Sequence, residues 1–153
     1  MLRLICALIL VLLIVSPSLG QQSLVGTYKL VSHVSEVDGK PFQPLKAPHG
    51  YLVLTPTRFL YFITAENRKF GTSTDEKAAL FDSLVGYGGV YRVEGEKLFL
   101  TYEVSWVENT VGATSVEAFQ LSGNRLTKTL GPQPWPGDPS KTMIRRETYE
   151  KVE

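Results

Sequence analysis

The stretch YGGVYRVEGEKLFLTYEVSW, residues 87–106, decides the fold. In its first half Tyr87, Gly89, Tyr91 and Val93 fall on one face of an extended chain, and Gly88, Val90, Arg92 and Glu94 on the other. In its second half Leu98, Leu100, Tyr102, Val104 and Trp106 oppose Phe99, Thr101, Glu103 and Ser105. A period of two marks strands, and Gly95-Glu96 between them is the short link of a hairpin. One face of each strand should be buried and the other half wet.

The same reading extends along the chain. Eight strands are expected, over Leu24–Ser35, Gly50–Thr55, Arg58–Thr64, Tyr87–Glu94, Lys97–Trp106, Thr114–Leu121, Arg125–Leu130 and Lys141–Lys151. Asp38-Gly39-Lys40, Pro56-Thr57 and Ser122-Gly123-Asn124 supply further tight turns. One helix interrupts the series. Ser73-Thr74-Asp75-Glu76 matches a capping box, Lys77, Leu80, Phe81, Leu84 and Val85 recur at helical spacing, and Gly86 offers a stop. Pro41–Pro48 and Pro132–Pro139 read as stiff, strandless linkers. Short links between sequential strands favour an all-β, eight-stranded antiparallel up-and-down barrel with one short α-helix between strands 3 and 4. Eight strands leave an interior wide enough for one small ligand.

Composition limits the functions such a barrel can have. Of 153 residues 43% are apolar, with 16 Lys+Arg against 15 Asp+Glu and a single cysteine. The start is unlike the rest: Arg3 precedes an apolar run from Leu4 to Val15, broken at Ser16-Pro17 and ending in Ser18-Leu19-Gly20. This is the pattern of a secretory signal peptide over residues 1–20, cleaved after Gly20 and leaving a domain over 21–153. As a helix the run spans about 18 Å against the roughly 30 Å hydrocarbon core, so a stable membrane anchor is not expected. Export to the periplasm or the medium follows, and Cys6 leaves with the leader, so packing without a disulfide must hold the fold. Without Arg3 the charges balance, which gives nucleic acid no electrostatic handle.

The opening Gly26-Thr27-Tyr28-Lys29-Leu30-Val31-Ser32 resembles the start of bacterial and fungal lipocalin-like domains. The likeness continues through Gly50-Tyr51-Leu52, the Thr74–Ala79 helix with Phe81-Asp82, and Tyr87–Gly95. It implies a lipocalin-like barrel with a ligand cavity. It also implies an aromatic plug at the barrel floor, here Tyr28 in place of the usual Trp, covered by a late arginine, either Arg145 or Arg146.

Tyr61, Tyr87, Tyr91, Tyr102 and Trp106 each join an apolar face to a polar tip, and are the candidate ligand-binding residues, with Phe81 as a cap. Glu103 and Glu117 read as solvated and His33 as a strand-surface residue. The two histidines, His33 and His49, lie on different elements, so no metal site, catalytic set or cofactor is expected. The leading reading is an exported protein binding a small hydrophobic or amphipathic molecule. Two others stay open: a cyclase- or isomerase-type barrel enzyme using a tyrosine hydroxyl or Arg92, and a ligand-free interaction module using Trp135.

Overall fold

The computed structural model of the chain describes residues 23–153; the expected leader lies outside the described residues. Nine strands run in chain order as β1 (Gly26–Val37), β2 (Lys40–Pro41), β3 (His49–Leu54), β4 (Arg58–Thr64), β5 (Leu84–Glu94), β6 (Lys97–Ser105), β7 (Thr114–Ser122), β8 (Arg125–Trp135) and β9 (Asp138–Lys151). Each long strand pairs antiparallel with the next, and β1 pairs with β9 from Tyr28↔Lys151 to Val37↔Met143, so the sheet closes on itself. The result is the eight-stranded up-and-down barrel, with β2 a two-residue extension of its rim.

The helix α1 (Thr74–Asp82) therefore lies between β4 and β5, the short β2 having shifted the count by one. Its capping box forms as read: Ser73 Oγ accepts from the Glu76 amide, and Glu76 accepts from the amides of Thr72 and Ser73. Those backbone donors, with the hydroxyls of Ser73 and Thr72, hold the Glu76 carboxyl down at about 2. The helix stops earlier than its spacing predicts. Leu84 and Val85 pair with Thr64 and Ile63 and open β5, while Arg68 donates to the Leu80 carbonyl at the helix end.

Single-residue bulges in β1 and β6 change which side chains enter the barrel. Between Leu30 and Ser32 the β1–β9 register slips by one, so Val31 is extruded and His33 and Ser35 turn inward. Between Tyr102 and Val104 the β5–β6 register slips likewise; the strand's odd and even faces exchange, and Val104 is 61% exposed instead of buried. The bulge needs Gly89, because a Cβ there would overlap the Thr101 carbonyl oxygen. The linker over residues 132–139 is not strandless: β8 and β9 extend through it to Trp135↔Asp138.

One end of the barrel is packed shut. Tyr28 is fully buried and donates its hydroxyl to the Leu24 carbonyl at 2.9 Å, among Leu52, Leu54, Leu98 and Leu126. Neither arginine covers it. Lys151 lies across from Tyr28 in the register, sets Nζ over the ring at 5.8 Å and donates to the Val25 carbonyl at 2.6 Å. Arg145 and Arg146 pair with Ser35 and Val34, farther along β1.

Candidate functional site

Above that plug the barrel holds charge. On β7, Glu117 shares a face with Phe119 and Leu121; on β8, Lys128 stands between Leu126 and Leu130; on β9, Arg145 and Glu147 share a face with Tyr149. Strand pairing brings them together: Lys128 is directly opposite Glu147, and Leu130 is opposite both Glu117 and Arg145. Lys128 Nζ lies 2.8 Å from Glu117 Oε2 and 3.2 Å from Glu147 Oε2. Arg145 sets Nη2 at 3.3 Å from Glu117 Oε1 and Nε at 3.3 Å from Glu147 Oε1. Two carboxylates and two cations thus form a quartet of zero net charge.

Glu147 is its centre. Tyr61 and Tyr149 donate their hydroxyls to it at 2.6 and 2.8 Å, one to each carboxylate oxygen, and His33 Nδ1 stands 3.3 Å away. Burial alone would raise the Glu147 carboxyl, but Lys128 and Arg145 outweigh it and hold the group well below the usual carboxylate range. Burial would lower the Lys128 ammonium, yet Glu117 and Glu147 raise it above the ordinary lysine value. Burial, and then the Glu147 charge, push the phenols of Tyr61 and Tyr149 well up, so both stay protonated donors. Glu147 has its acceptor sites committed to Tyr61, Tyr149, Lys128 and Arg145 and no spare basicity, so it is not placed to act as a general base. Among the described residues no group of three His, Cys, Asp or Glu is arranged to hold a metal.

Around the quartet the interior is almost full, with a residual cavity of about 10 Å³ bounded by Phe59, Tyr61, Tyr87, Tyr102 and the charged side chains. The room lies above it, at the open end. A chamber of about 160 Å³ takes Tyr61, Tyr87 and Arg145 as its floor and Phe42, Leu45, Val85, Trp106 and Met143 as apolar walls. Asp82, at the end of α1, and His33 and Ser35, turned inward by the first bulge, complete it.

The candidate residues divide between these spaces. Tyr61, Tyr87 and Tyr102 form one aromatic run, with ring centroids 6.0 and 4.8 Å apart in succession. Trp106 and Phe81 meet at the mouth, 4.9 Å between centroids, with Phe81 half exposed. Tyr91 is not with them: it is buried near the closed end and donates to the Thr55 carbonyl at 2.8 Å. Arg92 faces outward over the Phe99 ring, 3.8 Å from its centroid, and pairs with Glu94. Trp135 packs edge-on against Phe42 in an outer groove, 5.4 Å between centroids.

Two expectations about charge are overturned. Glu117 is 2% exposed, not solvated, whereas Glu103 pairs with Arg58 on the outside. The His33 side chain is 5% exposed, because the Val31 bulge reverses the face on which it stands. The quartet had a signal in the sequence: Leu126, Lys128 and Leu130 alternate, as do Arg145, Glu147 and Tyr149.

Compared with known protein families, residues 25–147 match the model described as a lipocalin-like domain. No curated protein matches the chain.

Proposed function

The chain belongs to the lipocalin-like domain family, and from that premise we propose that it is an exported protein that binds one small amphipathic molecule at the barrel mouth. The observation carrying this reading is the chamber of about 160 Å³, apolar in its walls and polar in its floor. Such a space, smaller than the roughly 300–1,000 Å³ of sites for drug-sized ligands, fits a compact ring system better than a long acyl chain. Tyr61, Tyr87 and Trp106 are the contact residues of this reading, with Phe81 packed on Trp106 at the mouth, and Tyr102 backs Tyr87 from below.

Burial of about 200 Å² of apolar ligand surface is worth about 5 kcal/mol, a dissociation constant near 10⁻⁴ M before polar contacts and ordering costs. Export rests on Arg3 and the apolar run Leu4–Val15, and a secreted form beginning at Gln21 is its direct check. For binding, the purified protein is titrated with single-ring and two-ring amphiphiles, with tryptophan fluorescence and melting temperature as readouts. Saturable shifts with compact rings, and none with long-chain analogues, are expected. No shift with any member of the panel would overturn the binding reading.

A further inference from the structure

The charges behind the chamber have a bearing on what can enter it. A buried arginine beside an apolar cavity suggests a carboxylate ligand, but Arg145 is already neutralised twice, by Glu117 and by Glu147. The quartet as a whole carries no net charge, Asp82 adds a negative charge at the chamber's edge, and His33, the other ionisable group in the lining, stands 3.3 Å from Glu147. An anion entering here would lose its hydration without gaining an unbalanced cation, which makes its burial costly.

Donors, by contrast, are in surplus. Arg145 uses Nε and Nη2 on the two glutamates, and Nη1 makes no protein hydrogen bond among the described residues, while the side chain is 21% exposed and lines the chamber. At the wall, Trp106 Nε1 is shielded from water and has no acceptor among the described residues. A buried N–H without a partner forfeits a hydrogen bond, which an acceptor brought in by a ligand would restore. Resting on the binding reading above, we infer that the ligand is an uncharged ring compound bearing a carbonyl-type acceptor oxygen, held by the Arg145 guanidinium and the Trp106 indole N–H.

The test uses three probes of one size: acetophenone, benzoate and ethylbenzene, titrated at pH 7 and followed by NMR. Acetophenone should bind about tenfold tighter than benzoate, the equivalent of one hydrogen-bonded acceptor against a desolvated charge. The Trp106 indole N–H signal should move downfield with acetophenone and not with ethylbenzene. Trp106→Phe, which keeps an aromatic face but removes the donor and the pyrrole half of the indole, should lower acetophenone affinity several-fold more than ethylbenzene affinity. Benzoate binding as tightly as acetophenone would overturn the inference and leave the binding reading standing. A ketone loss in W106F no larger than that of ethylbenzene would overturn the part assigned to the indole. Failure of all three probes to bind would overturn the binding reading, and this inference with it.

Discussion

Replacing Lys128 with Met removes the cation that bridges two carboxylates, and its cost can be worked from the geometry. Lys128, Glu117 and Glu147 are 3%, 2% and 1% exposed, so solvent screening gives little relief. Without Lys128 Nζ the quartet becomes two negative charges against Arg145 alone. Breaking one partner out of a buried ionic group costs about 3–5 kcal/mol, which for a domain of this size is a fall of roughly 10–20 °C in melting temperature. The K128M side chain fills the space, so the loss belongs to charge and not to a cavity. Thermal and denaturant unfolding at a series of pH values separates the two. In the parent protein the Glu147 carboxyl is held below its unfolded value, so its contribution is complete above the ordinary carboxylate pKa and is lost as the pH falls through the folded one. In K128M the surplus charge is relieved by proton uptake, so the gap between variant and parent should narrow between pH 7 and about 4. Adding Glu117→Gln leaves Glu147 with Arg145 as a balanced pair, and should recover more than about 1 kcal/mol through coupling of neighbouring sites. A loss in K128M below about 1 kcal/mol, or a gap that does not change with pH, would refute the account of the quartet as a mutually compensated charge group.

Three further outcomes follow from local geometry. Ser73→Ala removes the hydroxyl cap of α1 and should cost about 1 kcal/mol, seen as faster amide exchange confined to the helix. Because the folded Glu76 carboxyl stands near 2, helix protection should persist at pH 4 and fade as the pH drops toward that value, and E76Q should remove this acid sensitivity. Gly89→Ala places a methyl on the Thr101 carbonyl at the second bulge and should cost about 3 kcal/mol or more in denaturant unfolding, against a near-neutral Gly95→Asn in the neighbouring turn. Tyr28→Phe leaves the buried Leu24 carbonyl without its donor and should cost about 1–3 kcal/mol, with no change in ligand affinity, because the plug lies at the closed end.

What could be read from the sequence depended on whether the cause was local. The hairpins are local: Asp38 and Gly39 both take positive φ, 49° and 71°, as a tight reversal into β2 requires, and Ser122-Gly123-Asn124 behaves alike around Gly123. The capping box is local too, and Ser73 and Glu76 form it as spaced. The bulges are not. They arise from how two strands pair, and nothing in Leu30-Val31-Ser32 announces that Val31 will be squeezed out and His33 turned inward. The same holds for Val104, whose place in the alternation was right until the register slipped at Glu103. The quartet failed for another reason. Lys128 and Glu147 stand at inward positions, but a lone buried charge is so costly that the alternation of one strand, taken by itself, gives no reason to place either in the core. Compensation appears only when β7, β8 and β9 are laid side by side, where Lys128 meets Glu147 across one rung.

An ionic floor is an expensive way to fill a barrel, since well-packed apolar side chains of similar size are commonly as stable or more so. Its retention therefore calls for something leucine and methionine cannot supply. The geometry offers one candidate: Nε and Nη2 of Arg145 are each pinned to a glutamate, which fixes the plane of the guanidinium of a residue that lines the chamber. A variant carrying E117L, K128M, R145M and E147L, with Tyr61→Phe and Tyr149→Phe so that no hydroxyl is orphaned, separates the two roles. If the quartet serves the chamber, this apolar barrel should fold within about 2 kcal/mol of the parent, or above it, and lose the share of its preference for acetophenone over ethylbenzene that Arg145 supplies, the share of Trp106 remaining. If instead the charges set the register of β7, β8 and β9, the variant should lose cooperative unfolding and dispersed amide signals, a result that would move the quartet from ligand recognition to folding specificity.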